Sequence, residues 1–464
     1  MRDESNLGSG LDPMDEAHDA DGTPRGSYGE LFAALGPEDF AAAGARVRRE
    51  LAERGVVFGG GSTPAHPFDV DPVPRLIEAE EWQGVERGLV QRVLALNAFL
   101  ADVYGERRIV AAGIVPAALI EDADWYEPAM AQPGMPPVRA HVAGPDLVRG
   151  GDGELRVLED NLRAPSGLAY ALGARAAMEP VAAASGLEPR SLEPGVEALR
   201  AMLRAAAPDG PADPHVVLLN DGPGASALYE HGELARRLGL TIATPGELRR
   251  HGEALVLGER VVDVIYRRID DERLTAPGGE PTALGELLIE PLRAGSLACV
   301  NSPGSGIADD KAVHTYVDRM IDFYLGEPPL LRSVPGSYLG DPGELEPALA
   351  RIDELVIKPR SEFGGKGVVI GPLAGEAELE AAAAEVRRDP RRFVAQETVA
   401  LSLHPTVVDG SLQGRHVDLR PYVITDGYNV TVVPGGLSRF ALAPGVMVVN
   451  SGRGGGAKDT WILG

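Results

Sequence analysis

A glycine-rich turn with two lysines is the first segment whose residue types suggest chemistry. The run LVIKPRSEFGGKGVVI (residues 355–370) reads as two strands, with Lys358 at the end of the first and Lys366 in the turn. Glycines let main-chain N–H groups approach an anion closely, and a buried lysine is costly without an anionic partner. The segment therefore favours phosphate binding over an ordinary hairpin with surface lysines. It is not a Walker loop, because glycine follows Lys366 and a strand follows the turn. The glycines of the turn are Gly364, Gly365 and Gly367.

A second segment offers oxygen ligands. The Asp-Gly pair at 152–153 is a favoured tight turn, so residues 138–165 are predicted to contain a β-hairpin. Strand alternation places Glu159 and Asn161 on one face, and Asp146 lies on the partner strand, where it could face them. Three hard oxygen ligands from adjacent strands suit Mg²⁺, with ATP phosphates and water completing its coordination.

Two neighbours of these residues extend the prediction. Asp160 is expected to point to the opposite face of the hairpin. Arg163 could reach a phosphate or carboxylate bound at the same metal. On its own, the segment leaves a solvated acidic hairpin as an alternative.

Two strands nearer the C-terminus carry further candidates. Asp418 and Arg420 lie on one strand face, so Asp418 could hold a guanidinium that stabilises a transferred phosphoryl group. A structural ion pair between strands would give the same spacing. Gln396 and Glu397 end the strand RFVAQ, where polar acceptors suit the amino group of adenine and the ribose hydroxyls, although many strands end in Glu.

The composition limits the classes of function. The chain has 464 residues and a formal net charge of −25, which disfavours nucleic acid and anionic membranes as partners. Such a protein must concentrate its few cations, or a metal, to hold a polyanion. The single cysteine, Cys299, excludes an internal disulfide and fits a reducing compartment, so a cytoplasmic location is expected. No run of about eighteen apolar residues predicts a membrane span.

The elements that would position these residues predict an α+β protein of two to three lobes, with mixed or antiparallel sheets and flanking helices. Residues 1–27 are acidic and poor in large apolar groups, so a disordered tail is expected. Residues 28–210 are predicted to form a helical region, with a long amphipathic helix over 81–106, and to include the hairpin. Residues 211–300 read as an α/β substrate lobe, and residues 301–464 as an ATP-binding lobe that carries the glycine-rich loop.

Together these segments resemble the circularly permuted ATP-grasp family, related to glutathionylspermidine synthetase-like ligases. The resemblance runs from about Tyr28 to the C-terminus. The Glu-x-Asn segment precedes the lysines and the glycine-rich loop, as in the permuted family, whereas it follows them in ordinary ATP-grasp enzymes. The segments that carry the resemblance are GPDLVRGGDGELRVLEDNLRAPSGLAY, YEHGELARRLG, VDVIYRRIDDERL, VNSPGSGIADDKAV, LVIKPRSEFGGKGV, HVDLRP and SGRGGGAKDTWIL.

The resemblance implies a role for each matching residue, with ATP and Mg²⁺ as the cofactors. In this interpretation the phosphate-contacting lysines are Lys311 and Lys358, the loop over the triphosphate is Gly364, Gly365, Lys366 and Gly367, the adenine and ribose segment is Gln396 and Glu397, the Mg²⁺ ligands are Asp146, Glu159 and Asn161, and the phosphoryl-stabilising arginine is Arg420.

One position departs from the family pattern. The glutathionylspermidine enzymes have an arginine two residues before the metal aspartate, where this chain has Gly144. Arg267 and Arg268 could face the phosphate instead, hold a substrate carboxylate, or form surface ion pairs with Asp270 and Asp271. Near the C-terminus, Lys458 could close over the site or belong to a mobile tail. The candidates for the arginine that faces the transferred phosphate are Arg163, Arg267, Arg268 and Arg420.

The resemblance implies a ligase that activates a carboxylate as an acyl phosphate and joins it to an amine. Small-molecule or peptide carboxylates and amines are the expected partners, without nucleic acid or a membrane. Two alternatives stay open: a small-molecule kinase and a non-catalytic ATP-binding partner protein.

Overall fold

The computed structural model describes residues 13–60, 63–208, 212–362, 366–447 and 455–464 of the chain. Within these ranges the protein is a mixed α+β structure built from several small sheets with helices around them, as the sequence predicts. No helix in these ranges combines the length and the apolar character that crossing a membrane requires.

Helices and strands are numbered in chain order. The α-helices are α1 (Tyr28–Ala34), α2 (Pro37–Glu53), α3 (Ala79–Val103), α4 (Arg108–Ala111), α5 (Ala117–Glu121), α6 (Leu168–Ser185), α7 (Glu193–Ala205), α8 (Leu228–Leu238), α9 (Ala283–Arg293), α10 (Lys311–His314), α11 (Val317–Leu325), α12 (Leu345–Ala350) and α13 (Glu376–Arg388). The strands are β1 (Val57–Gly60), β2 (Thr63–Pro67), β3 (Val70–Glu78), β4 (Val142–Ala143), β5 (Asp146–Arg149), β6 (Leu155–Glu159), β7 (Val216–Asn220), β8 (Thr241–Ala243), β9 (Leu248–His251), β10 (Ala254–Leu257), β11 (Arg260–Val261), β12 (Val264–Arg268), β13 (Ala298–Val300), β14 (Gly336–Tyr338), β15 (Leu355–Pro359), β16 (Val369–Ile370), β17 (Phe393–Glu397), β18 (Leu403–Val408), β19 (Ser411–His416), β20 (Asp418–Leu419), β21 (Val423–Thr425), β22 (Val430–Val432), β23 (Gly436–Phe440) and β24 (Gly456–Leu463).

The long helix α3 lies at the centre of the largest hydrophobic cluster. Its apolar residues recur at three- and four-residue steps, so one face buries Leu89, Val93, Leu96 and Leu100. The helix predicted over 81–106 is therefore confirmed, with both ends shifted by two or three residues. On its inner side α3 packs along α11.

Two antiparallel sheets carry the predicted site residues. One has the strand order β20-β5-β6, and the other has the order β14-β17-β15-β16. The predicted hairpin is confirmed as β5 and β6, and Gly153 in its turn adopts φ +84°, a conformation that favours glycine. A separate parallel sheet, β13-β12-β7-β8, forms the predicted α/β region, with α8 following β7.

The strands after residue 417 do not belong with the preceding sheet. Strand β20 pairs with β5, β21 pairs with β4, and β24 pairs with β3, so the end of the chain completes sheets begun near its start. Residues 301–464 thus contribute strands to several sheets, and the extent of the ATP-binding lobe stays a prediction. The β14-β17-β15-β16 sheet occupies only the middle of that range. The sequence could not predict this division, because the pattern within one strand does not reveal which distant strand it pairs with.

The start of the described chain is ordered, which contradicts the predicted disorder of residues 1–27 from Pro13 onward. Glu16 is 6% exposed and forms an ion pair with Arg75 at 2.6 Å. The main chain of the same segment joins β18, with Glu16 N–H donating to Leu403 O at 2.9 Å. The acidic composition predicted disorder for this segment. Composition carries no information about the buried Arg75, which pairs with Glu16. Residues 1–12 lie outside the described residues.

Candidate active site

A cavity of about 340 Å³ lies between the two site-bearing sheets. Its volume falls in the range of small-molecule sites. Of the candidates from the sequence, it brings together Asp146, Glu159, Asn161, Lys311, Lys358, Lys366, Gln396, Glu397 and Arg420. Residues more than 250 positions apart in the chain thus converge on one concave surface, as a single ligand site requires.

The three predicted metal ligands sit side by side. Asp146 and Glu159 are directly opposite each other in the β5–β6 ladder. The amide nitrogen of Asn161 donates to Gly144 O at 2.9 Å and lies 3.3 Å from Asp146 Oδ1. This orientation commits the amide nitrogen and leaves its oxygen as the group that can bind a cation. No set of three His, Cys, Asp or Glu side chains arranged for a metal occurs in the described ranges, so the metal assignment depends on this amide oxygen.

The electrostatics of the pair suit a cation. Burial raises the pKa of Asp146 well above its ordinary value, and the neighbouring Glu159 carboxylate adds to this effect while Arg420 opposes it. Burial acts in the same direction on Glu159, but the charges of Lys311, Lys358 and Arg420 outweigh it and lower its pKa. Two adjacent carboxylates therefore share one strongly anionic position, where a divalent ion would favour ionisation of both. The residues present thus fit Mg²⁺.

Both lysines predicted to contact phosphate point at this position. Lys311 begins α10, and its Nζ lies 3.7 Å from Glu159 Oε2 and donates to Glu362 O at 2.9 Å. Lys358 leaves β15 and donates to Gln396 Oε1 at 2.5 Å. Burial lowers the pKa of Lys358 to about 8, and the nearby charge of Lys311 contributes. An anion bound at this position would therefore stabilise the protonated form of each lysine.

Part of the glycine-rich turn can be located. Lys366 lines the cavity from an exposed position and lies 3.4 Å from Glu362. Gly367 adopts φ +71°, and a Cβ there would meet Pro359 Cγ at 2.9 Å, so glycine is required. Gly364 and Gly365 lie outside the described residues, and their role as part of a loop over the triphosphate stays a prediction.

The predicted adenine and ribose segment ends β17. Gln396 donates to Leu158 O at 3.3 Å, and Glu397 forms a bidentate ion pair with Arg351 at 2.9 and 3.0 Å. The cavity lining also includes apolar side chains, against which an aromatic base could pack: Val148, Leu158, Val356, Ile370, Val399, Leu401 and Met447.

Arg420 is the arginine that the cavity contains. Its guanidinium lies 2.9 Å from Asp418 and 3.1 Å from Asp146, so the predicted contact with Asp418 is confirmed. Burial alone would lower the pKa of Arg420, but these two carboxylates raise it. The side chain is fixed with its charge beside the metal ligands.

Arg163 does not line the cavity. Its guanidinium stacks on the Trp125 ring at 4.0 Å and donates to Asp270 O at 2.9 Å. Strand β6 ends at Glu159, so the alternation that predicted a ligand contact for Arg163 does not extend that far. Of the two arginines predicted to be catalytic, the structure therefore places Arg420, and not Arg163, at the cavity.

The other cationic candidates are committed elsewhere. Arg267 is buried in an ion pair with Glu272, and Arg268 is buried 3.2 Å from Glu230, so neither forms the predicted surface pairs with Asp270 or Asp271. Lys458 is fully buried against Asp71 and donates to Pro405 O at 2.9 Å. It therefore does not close over the site.

The structure explains the glycine that departs from the family pattern. A Cβ on Gly144 would lie 2.8 Å from Pro165 Cβ, so proline occupies the space that a side chain would need. The main chain of Gly144 instead pairs with Asn161, accepting from its amide and donating to its carbonyl at 2.8 Å. Residue 144 thus orients Asn161, one of the predicted metal ligands.

Asp309 was missed as a site residue from the sequence, whereas Asp160 was named there without its partners. Asp309 lines the cavity and accepts the main-chain N–H groups of Leu162 and Arg163, and burial raises its pKa to about 7. Asp160 does face away from the metal ligands, as predicted, but Arg92 and His314 bind it there. The adjacent aspartates of ADDK were a signal for Asp309, whereas nothing local marked the partners of Asp160.

Comparisons with known proteins identify the family to which the sequence belongs. Residues 74–441 match the sequence model of the family described as circularly permuted ATP-grasp type 2. A Frankia alni protein named "Putative glutamate--cysteine ligase 2-3" is 46% identical over 97% of this chain, which spans 53% of that relative's length. A Mycobacterium tuberculosis protein without an assigned function is 42% identical over 97% of this chain and 84% of its own.

The fold also matches a solved structure. A glutathione synthetase-like effector from Globodera pallida superposes with a TM-score of 0.61, covering 92% of this chain and 98% of that one, at 13% sequence identity. This likeness concerns the fold alone. The match of residues 74–441 to the family model shows that the chain belongs to the circularly permuted ATP-grasp family.

Proposed function

We propose that the protein is an ATP- and Mg²⁺-dependent ligase that joins a carboxylate to an amine through an acyl phosphate. The observation that carries this proposal is the convergence of two groups in one cavity: the Asp146–Glu159–Asn161 ligands and the cations Lys311, Lys358 and Arg420. Opposite charges arranged in this way can hold a nucleotide triphosphate with its metal, which a protein of net charge −25 could not do by its general surface.

The metal would be held by Asp146, Glu159 and Asn161. When bound, Mg²⁺ supplies charge neutralisation on the β- and γ-phosphates. Lys311 and Lys358 would contact the same phosphates from the opposite wall of the cavity, and the apolar end beside Gln396 would take the base.

The chain's own residues would then act on two successive steps. A substrate carboxylate oxygen attacks the γ-phosphorus, the bond to the β-phosphate oxygen breaks, and ADP leaves. Arg420, fixed by Asp418 and Asp146, would stabilise the charge on the transferred phosphoryl group. The amine nitrogen then attacks the acyl carbon, loses a proton and expels inorganic phosphate, which leaves an amide.

The class of substrate that we propose is based on the name of a related protein. The Frankia alni protein is named for glutamate and cysteine, and this chain spans about half of its length. Amino acids or short peptides are therefore the acids and amines we propose. A cytoplasmic location stays a prediction from the single cysteine, Cys299, which is buried.

The test supplies hydroxylamine in place of the amine. The purified chain is incubated with ATP, Mg²⁺, hydroxylamine and pools of amino acids and small peptides, and hydroxamate and phosphate are measured. A ligase that forms an acyl phosphate releases both, and only when a carboxylate is present. A kinase would instead leave a stable phosphorylated product, and a binding protein would release neither.

A matched pair of variants makes the test specific to the site. Glu159→Gln should abolish hydroxamate formation. Asp152→Asn, in the same hairpin but exposed and paired only with Arg156 and its own turn, should leave it unchanged. Equal loss in both variants, or loss in neither, contradicts the site assignment.

A further inference from the structure

Arg439, on β23, is a buried arginine that the proposed mechanism does not use. Its side chain is 5% exposed, and its guanidinium lies over the Phe58 ring at 4.7 Å. Among the residues that the structure describes, no carboxylate forms an ion pair with this guanidinium and none of its nitrogens donates a hydrogen bond.

This situation is unusual within the molecule. Arg415 is also buried without a carboxylate, but it donates to Gln413 and to Gly414 O at 3.0 and 2.9 Å. Burying a guanidinium without a partner is costly, so a missing anion is the simplest explanation for Arg439. Other buried arginines have a carboxylate within 3.2 Å, in the pairs Arg75–Glu16, Arg92–Asp160, Arg149–Glu81, Arg267–Glu272, Arg268–Glu230 and Arg360–Asp310.

Strand register places Arg439 on the same face as the metal ligands. Arg420 bridges directly to Leu437, which puts Asp418 opposite Arg439, and Asp418 in turn pairs with Val148. Residues two apart on a strand share a face, so Asp146, Arg420 and Arg439 point to the same side. Asp418 joins the strands, because its Oδ1 accepts from Arg439 N–H at 2.9 Å while its Oδ2 holds Arg420.

The same register gives the approximate distance between Arg420 and Arg439. Arg420 and Arg439 are diagonal neighbours on adjacent strands, roughly 7–8 Å apart between their Cα atoms. Arg439 does not line the nucleotide cavity, whereas Arg420 does. An anion at Arg439 is thus not a phosphate of ATP but lies one short molecule away from the position of phosphoryl transfer.

An aromatic wall completes the surroundings of Arg439. Phe58 contacts Tyr170 with ring centroids 5.7 Å apart, and the Tyr170 hydroxyl donates to Val57 O at 3.2 Å. Burial lowers the pKa of Arg439 to about 10, with the neighbouring positive charge of Arg420 adding to it. Asp418 and Asp146 both pair with Arg420, so the guanidinium of Arg439 is left without a carboxylate of its own among the described residues.

We propose that Arg439 binds the non-reacting carboxylate of a substrate that carries two carboxylates on a short carbon chain, such as an acidic amino acid. This assignment rests on the proposed function, because the second carboxylate must reach Arg420 and the metal ligands to be phosphorylated. A guanidinium suits a carboxylate through its paired N–H donors, and the aromatic wall would cover the carbon chain.

The test uses two dicarboxylates, L-glutamate and glutarate, and 4-aminobutyrate, which is L-glutamate without its α-carboxylate. The unfolding midpoint of the full chain is measured with Mg²⁺ and a non-hydrolysable ATP analogue, with and without each acid. In the wild type, L-glutamate or glutarate should raise the midpoint, and 4-aminobutyrate should not. Arg439→Gln should lose this rise, corresponding to about tenfold weaker binding or more, while keeping the rise that the nucleotide causes. Arg439→Lys should recover part of it.

Arg415→Gln is the matched control, and both rises should persist there. The inference is overturned if Arg439→Gln keeps the rise with the dicarboxylates, or if the wild type shows none with either of them. Hydroxamate formed equally by wild type and Arg439→Gln, at equal half-saturation, would also overturn it but leave the ligase standing. Dicarboxylate binding that depends on Arg439, without hydroxamate from any acid, would instead support the inference and reject the ligase.

Discussion

At the scale of single residues, the site combines buried charges, each of which would be unfavourable without the others. Asp146 and Glu159 face each other across one strand pair, and Arg420 lies against Asp146 at 3.1 Å. Two buried carboxylates resist ionising together, so removing the cation or the arginine should leave the pair partly protonated. The charge that each of these side chains carries therefore depends on the pH and on what is bound beside it.

Replacing Glu159 by Gln keeps the shape of the ligand but removes one negative charge. Affinity for Mn²⁺, used as a spectroscopic substitute for Mg²⁺, should fall by more than the roughly 10–100-fold that changes outside the first coordination sphere cost. Electron paramagnetic resonance of free Mn²⁺ measures this without turnover. Unchanged affinity would remove Glu159 from the metal site.

Lys358 predicts a pH dependence for nucleotide binding. Its pKa is lowered to about 8 by burial, so in the free protein it loses its proton as the pH rises through about 8. ATP binds the charged form better, so the dissociation constant for ATP should rise above this pH at fixed free Mg²⁺. Lys358→Arg, which stays charged, should move this weakening to higher pH. An identical profile in both proteins would show that another group is responsible.

At the scale of elements, the segment that carries the proposed metal ligands Glu159 and Asn161 is anchored by contacts on its opposite face. Asp160 lies between Glu159 and Asn161 and accepts from Arg92 at 2.7 Å through each of its oxygens. His314 lies 2.8 Å from the same carboxylate. Burial opposes its ionisation, but Arg92 and His314 hold its pKa well below the ordinary value. The end of β6 is thereby fixed to α3 and α10.

Asp160→Asn should therefore weaken the metal site without touching a ligand. We expect Mn²⁺ affinity to fall roughly 10–100-fold, because the ligands on either side lose their fixed orientation. Circular dichroism should show that the fold is kept, and Asp152→Asn should leave Mn²⁺ affinity unchanged. If Asp160→Asn is folded and binds Mn²⁺ normally, the strand does not need this anchor.

Local pattern in the sequence was sufficient for the parts of the site built within one element. The two-residue spacing at the end of β6 predicted that Glu159 and Asn161 lie together, although the strand itself ends at Glu159, and the apolar strand with a lysine near its end singled out Lys358. Contacts between strands distant in the chain could not be predicted this way. The pairing of β5 with β20 brings Asp146 to Arg420, and the return of β24 to β3 buries Lys458. These contacts are set by tertiary packing, for which single-strand periodicity carries no information.

At the scale of the whole molecule, segments distant in the chain are joined through buried charge. Glu16 binds Arg75 on β3, and Ser402, just before β18, donates to the same carboxylate at 2.5 Å. Arg149, on β5, lies 3.4 Å from Glu16. One acidic residue of the first segment thus connects three parts of the structure that surround the site.

Glu16→Gln should destabilise the protein because it leaves two buried arginines short of a partner. We expect the free energy of unfolding to fall by about 3–5 kcal/mol in urea denaturation. Arg75 and Arg149 lower the pKa of Glu16 to about 2, although burial opposes them. Its contribution is complete above its ordinary value of 4.5 and is lost as the pH falls toward 2, so the variant should show a flatter acid limb. Asp19→Asn, an exposed pair partner of Arg25 in the same segment, should change neither quantity.

The most direct test of the account follows an oxygen atom. An acid that supports turnover is labelled with ¹⁸O in its carboxylate and incubated with ATP, Mg²⁺ and an amine, and the released phosphate is analysed by mass spectrometry. If the carboxylate attacks the γ-phosphorus and the amine then displaces phosphate, each phosphate carries one oxygen from the acid. Unlabelled phosphate, formed at the rate of amide formation, would contradict the acyl phosphate and with it the role assigned to the cavity.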